Sequence, residues 1–349
     1  MVWKKPDDDA YAFARGIIGR VSRTFALGIV VLPGDLGKAV LIGYLLCRIA
    51  DTIEDDGSAT LRRRQELLAR FLRCFESREL ADAFAAEAAD IKGNPAHLEL
   101  LAGNARVFTV LRALPKESSA ILERWVREMV AGMSEFVKRY PAGIRIQTLQ
   151  EYRKYCYYVA GTVGHMLTDL WRFHSPFVGE REHAALLVRA EAFGEALQTV
   201  NILKDIAWDI ERENSAYIPE ELLIAAGASQ STLLQPERRA NARQALCALT
   251  RLAHDDLRAS AEYVALLPKR AARIRLFCLL PIVFAVATLR EIESSVAMLE
   301  SGGGVKISRR EVRSLILACV GATWSNTLVR RLIGAANKAP FLLPGVGTS

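Results

Sequence analysis

The stretch DTIEDDG at 51–57 places four carboxylates, Asp51, Glu54, Asp55 and Asp56, at the end of an apolar helical pattern that begins near Lys38. Gly57 then supplies a helix stop. Acids in a last helical turn face the negative end of the macrodipole, at a cost of a few tenths to about 1 kcal/mol each. A cation should offset that cost. A second row, NILKDIAWD at 201–209, repeats Asn201, Asp205 and Asp209 every four residues. At helical pitch these three span about 80° of one face, flanked by apolar Leu197, Val200, Ile202 and Ile206. On the first helix Tyr44, Arg48, Asp51 and Asp55 fall within about 60°, with Glu54 beside them. Oxygen ligands without His or Cys favour Mg²⁺, which keeps several waters and bridges to substrate phosphates. Asp51, Glu54 and Asp55 with Asn201, Asp205 and Asp209 are therefore the candidate metal ligands.

Each row alone also fits a solvated helix surface. Arg48 and the run RRR at 62–64 could balance the first, and Lys204 and Arg212 the second. Two such rows in matching apolar surroundings point instead to a metal–diphosphate site.

The elements that must carry these rows are helical. EAFGEALQTVNILKDIAWDIER, KESSAILERWVREMVAGMSEFVKRY and RREVRSLILACVGATWSNTLVRRLIGAAN all show apolar residues at three- and four-residue spacing, and clear alternating strands are absent. Breaks at LPGD (32–35), KGNP (92–95), YPAG (140–143), HSPFVG (174–179), LLPKR (266–270) and ESGGG (300–304) are spaced as short interhelical loops. The expectation is one all-α domain over 1–349, with a core from about 15 to 335.

With 349 residues and 51% hydrophobic content the chain can bury a sizeable core. The net charge of +7 suits nucleic acid, anionic lipid or a polyphosphate substrate. Nucleic acid is set aside, because the Lys and Arg residues are dispersed and no RNP-type motif, zinc finger or basic heptad region occurs. The six cysteines form no CxxC pair, and the five histidines form no metal-ligand spacing. The segment MVWKKPDDDAYAF lacks the apolar core of a signal peptide, so a cytoplasmic location is expected. The longest apolar run, LFCLLPIVFAVATL at 276–289, is too short to span a bilayer and reads as a buried helix. Peripheral membrane contact stays open, as does a monomeric or weakly homodimeric state.

The two rows resemble the aspartate-rich motifs of the squalene/phytoene synthase family, the head-to-head prenyl transferases. Three further segments carry the likeness: VSRTFALGI at 21–29, YCYYVAGTVGHML at 155–167 and NSAYIPEEL at 214–222. The resemblance implies an all-α isoprenoid-synthase helical bundle with a central cleft. It also implies a two-step reaction on farnesyl diphosphate: condensation of two molecules to presqualene diphosphate, then reduction by NADPH to squalene, with Mg²⁺ assisting ionisation. By motif position, Ser22, Arg23, Arg48 and Lys204 would bind diphosphate oxygens. Tyr155 would handle a proton near the first cation. Phe25, Tyr44, Val159, Val163, Gln198, Phe277 and Pro281 would line the prenyl pocket, where aromatic faces stabilise a cation by roughly 0.5–2 kcal/mol each. Without the match, Ser22 reads equally as a helix cap and Phe25, Val159, Val163 and Phe277 as core.

DTIEDD, the Phe277–Pro281 stretch and GGVKIS at 303–308 resemble the squalene synthase branch. A dehydrosqualene, phytoene or presqualene diphosphate synthase is the alternative, and two departures keep it open. Lys204 stands where the family usually has Arg, and SRR follows Lys306 where an Arg-Lys-Gly would be expected. A degenerate relative acting as an assembly factor or prenyl-lipid carrier would be expected to lose one acidic row, and both are intact. No GxGxxG follows a strand, so NADPH phosphates would fall to Ser22, Arg23, Lys306 and Arg309. Gly302, Gly303 and Gly304 suggest a mobile loop that closes over them.

Overall fold

A computed structural model describes residues 6–345. Among these the secondary structure is helical, and an isolated bridge joins Arg145 to Ala216. Two compact units divide the chain. The first holds residues up to Ala142 together with Asp169–His174, and the second holds Gly143–Thr168 and everything from Ser175.

The first unit contains α1 (Pro6–Val21), α2 (Arg23–Ile29), α3 (Gly34–Glu54), α4 (Leu61–Arg73), α5 (Arg78–Glu87), α6 (Pro95–Ala102), α7 (Asn104–Ala113) and α8 (Lys116–Arg139). Polar caps start several of them. Ser22 Oγ accepts from Phe25 N at 3.2 Å and Thr60 Oγ1 from Arg63 N at 3.2 Å, each satisfying a donor that a helix start leaves orphaned. α3 is the central element, packed against α1, α4, α6, α7 and α8. Its apolar residues are buried around most of its circumference, which explains why its sequence lacks a broad polar face.

The second unit contains α9 (Leu149–Cys156), a π-helical turn (Tyr157–Gly161), α10 (Thr162–His174, of which it holds the part to Thr168), α11 (Glu180–Arg212), α12 (Glu220–Ala225), α13 (Arg239–Leu266), α14 (Ala272–Ser294), α15 (Arg309–Ala322) and α16 (Asn326–Lys338). α11 packs along α13 and α14 and against the π turn. The π turn sits where two backbones touch: a Cβ on Gly194 of α11 would overlap the Ala160 carbonyl, and one on Gly164 would overlap that of Ala190. Such single-turn insertions concentrate at functional sites.

The apolar run at 276–289 extends, in the structure, to a 23-residue helix whose most apolar 18-residue window has a mean hydropathy of 1.9, long enough by length and composition to cross a membrane. The flanks are longer than the run suggested because Arg275 is fully buried yet satisfied, donating to the carbonyls of Thr323, Val264 and Leu267 at 2.6–2.7 Å. Within the protein 83% of this helix's apolar window is buried, as expected of a core helix.

Candidate active site

On α3 the candidate residues form one stripe. From Ala39 to Asp56 every residue is buried except Tyr44, Arg48, Asp51 and Asp55, which are half-exposed at spacings of four, three and four. The stripe is internally connected. Phe25 lies 5.2 Å from the Tyr44 ring, Arg48 Nη2 donates to Tyr44 Oη at 3.2 Å, and Arg48 Nη1 sits 3.4 Å from Asp51 Oδ2. Burial raises the Asp51 pKa and Arg48 opposes that rise. Arg48 Nε is buried without a hydrogen-bond partner, although donors in such a position are normally satisfied.

The four acids of DTIEDDG separate in space. Asp51 and Asp55 belong to the stripe, whereas Glu54 is 4% exposed and its backbone carbonyl accepts from Arg64 Nη1 at 3.1 Å. Asp56 turns inward. Its Oδ1 accepts from Ser58 N at 2.9 Å and Ser58 Oγ at 2.6 Å, and its Oδ2 accepts from Lys92 N at 2.9 Å. Asp56 therefore closes the loop after α3. Ser22 caps α2, with Arg23 exposed beside it.

The second acidic row lies on α11. Asn201 is exposed, and Gln198, Lys204, Asp205 and Asp209 are half-exposed. Lys204 Nζ is paired with Asp205 Oδ2. Asp209 borders a small recess with Ile202, Ile206, Tyr217 and Leu233. Its pKa is pushed up to about 9 by burial, then by Glu213 and Asp205, with Lys204 opposing.

Tyr217 is the residue that the sequence left without a role. Its ring stacks on Tyr155 at 5.0 Å and 27°, and both are buried. The backbone fixes it there, because Ala216 N donates to Ile144 O at 2.8 Å and Ile146 N to Ala216 O at 3.2 Å. Gln230 Nε2 holds the same segment through Ile146 O and Ile218 O at 2.7 and 2.9 Å. The signal available was the Tyr in NSAYIPEEL. Nothing local says that it meets a residue 62 positions earlier. Val159 lies in the π turn and Val163 just after it, both half-buried, while Phe277 and Pro281 are buried within α14.

The loop expected to be mobile is anchored instead. Gly302 N donates to Glu211 Oε2 at 3.0 Å, and Gly304 approaches the Lys204 carbonyl. Gly302 has φ +65°, and a Cβ on Gly303 would overlap the Ala297 carbonyl, so these two glycines serve a tight turn rather than a hinge. The turn places exposed Lys306 and, in the first turn of α15, exposed Arg309 after a segment docked on α11.

Among the described residues no three His, Cys, Asp or Glu side chains form a closed metal cage. The donor chemistry nonetheless fits Mg²⁺, which binds through one or two carboxylates plus phosphates and water rather than an all-protein cage. Crowding of Asp205, Asp209 and Glu213 is the charge arrangement that a divalent cation relieves. Lys306 and Arg309 fit dinucleotide phosphates, since cations at a helix start are otherwise disfavoured.

A family model described as squalene/phytoene synthase matches residues 18–311. Squalene synthase BSS of Botryococcus braunii is 30% identical over 294 residues, covering 82% of this chain and 59% of its own length. The chain thus spans about three fifths of that relative. Squalene synthase of Homo sapiens is 27% identical over 312 residues, covering 86% of this chain and 67% of its own. Among solved structures, a TcSQS–ligand complex matches with a TM-score of 0.82 at 25% identity, covering 94% of this chain and 90% of that one.

Proposed function

The chain belongs to the squalene/phytoene synthase family and has its all-α isoprenoid-synthase fold, and from that premise we propose that it joins two farnesyl diphosphates head to head and reduces the product to squalene. What supports the reading most is the stripe of Tyr44, Arg48, Asp51 and Asp55 on an otherwise buried helix. In this reading residues from about 15 to 335 act as one functional domain.

Arg48, with a buried Nε lacking a partner, and Lys204 grip diphosphate oxygens, Arg as a fork and Lys as a point charge. Ser22 and Arg23 add donors at the start of α2. Asp51, Glu54 and Asp55 with Asn201, Asp205 and Asp209 would hold Mg²⁺, which would supply charge neutralisation for the departing pyrophosphate. Phe25, Tyr44, Val159, Val163, Gln198, Phe277 and Pro281 shape a water-poor prenyl pocket, in which a carbocation outlives attack by solvent. Tyr155 Oη handles the proton lost as the cyclopropane closes, its ring held by the stack on Tyr217. Lys306 and Arg309, with Ser22 and Arg23, would take the phosphates of NADPH, which would supply the hydride of the second step.

The alternative is a non-reducing member of the family, favoured by the SRR that follows Lys306. Product chromatography with farnesyl diphosphate and Mg²⁺, with and without NADPH, separates the two. Squalene only in the presence of NADPH supports the proposal. Products unchanged by the nucleotide move the chain to the non-reducing branch and remove the role given to Lys306 and Arg309.

A further inference from the structure

Although its lysines and arginines are dispersed, the net positive charge of this protein arises almost wholly at one end of its sequence. Residues 301–349 contain Lys306, Arg309, Arg310, Arg313, Arg330, Arg331 and Lys338 against a single carboxylate, Glu311, and so carry six of the seven net positive charges. Glu311 is buried and paired with Arg290 at 2.9 Å, so it does not neutralise the surface. Residues 1–300 are close to neutral.

The same segment exposes its largest apolar side chains. On α15 and just beyond it, Arg310, Arg313, Leu317, Val320 and Trp324 are exposed at spacings of three, four, three and four, which puts them in one arc of about 80°. Leu317 is 55% exposed, Val320 51% and Trp324 61%. Leu328, in the first turn of α16, is exposed as well, with Arg330 and Arg331 following it. Isolated exposed leucines need no explanation, but a contiguous apolar stripe with a tryptophan and a cationic rim does.

We propose that α15 and the start of α16 form a docking surface for an anionic lipid bilayer, with Leu317, Val320, Trp324 and Leu328 entering the interface and Arg313, Arg330 and Arg331 meeting the headgroups. Charge decides between occupants. A second copy of this chain would bring an identical arginine-rich rim against the first in a two-fold contact, whereas an anionic surface attracts the whole segment. Tryptophan is suited to the membrane–water boundary, and interfacial binding scales with apolar area plus attraction to anionic lipid. The inference rests on this surface alone and not on the reaction proposed above.

The test is co-sedimentation of the full chain with vesicles of phosphatidylcholine, or of phosphatidylcholine with about one third phosphatidylglycerol. The proposal expects binding at least about tenfold tighter to the anionic vesicles, weakening as salt rises. Trp324→Ser and the pair Arg330→Glu with Arg331→Glu should each reduce it by about tenfold or more, with unfolding midpoints near wild type because these side chains are exposed. Tryptophan emission should shift to the blue on vesicle addition in the wild type and much less in Trp324→Ser. Binding equal on both vesicle types, or undiminished in both variants, overturns the proposal. So does a concentration-dependent dimer by sedimentation velocity that Trp324→Ser abolishes, which would assign the surface to a second copy.

Discussion

Gly194 of α11 runs against the carbonyl of Ala160 so closely that no side chain fits between them. That approach coincides with the π-helical turn Tyr157–Gly161, which contains Val159 and is followed closely by Val163. Gly194→Ala should therefore destabilise the protein by about 2–3 kcal/mol through overpacking, read as a lower denaturant midpoint. An unchanged midpoint would mean that the two backbones separate readily and that the crossing does not hold the turn.

Asp55 and Asp56 are neighbours with opposite assignments. Asp56 is a buried acceptor for three donors, so Asp56→Ala should cost about 2–3 kcal/mol of stability. Asp55 is half-exposed on the stripe, and Asp55→Asn should leave stability within about 0.5 kcal/mol while removing turnover. The pair is compared by chemical denaturation and by pyrophosphate release; reversed effects would reassign the two residues.

A second acid pair, away from the rows, predicts how stability depends on pH. Glu195 on α11 and Asp256 on α13 are both buried, each with one carboxyl oxygen lacking a hydrogen-bond partner; Glu195 Oε1 lies 3.7 Å from Arg153 Nε, and Glu191 and Asp255 are near the pair. Burial first and then mutual repulsion raise the Glu195 pKa to about 7; burial, with Asp255 and Glu191 and against Arg153, raises that of Asp256 to about 6. Because the folded state holds protons that the unfolded state has released, stability falls as pH rises from about 4.5 to 7. Glu195→Gln should match wild type near pH 5 and exceed it by about 1–3 kcal/mol near pH 8. Parallel stability curves for the two proteins across that range would contradict the assignment.

Much of this was written into the sequence at helical period. The Tyr44–Arg48–Asp51–Asp55 stripe follows from spacing alone, because a helix turns spacing into a face. What spacing could not supply was the role of Asp56, which closes the loop after α3 by accepting from Lys92 N, a partner 36 residues away. The π turn was equally hidden, since it accompanies a backbone crossing with Gly194 rather than any local preference of YYVAG. The glycines at 302–304 suit a mobile loop on sequence grounds, but glycine permits motion and tight geometry alike. Only the Ala297 carbonyl and the Glu211 carboxylate distinguish those uses.

The proposed function requires both acidic rows for the release of one diphosphate. Pyrophosphate release from farnesyl diphosphate, titrated with Mg²⁺ in the wild type, Asp51→Asn and Asp205→Asn, measures this most directly, with circular dichroism confirming that each variant is folded. The account predicts Mg²⁺-dependent release by the wild type and a loss of at least about 10²-fold in either variant alone, since removing one preorganised electrostatic contributor costs on that order. Release by either folded variant at the wild-type rate, with the wild-type Mg²⁺ dependence, would contradict it.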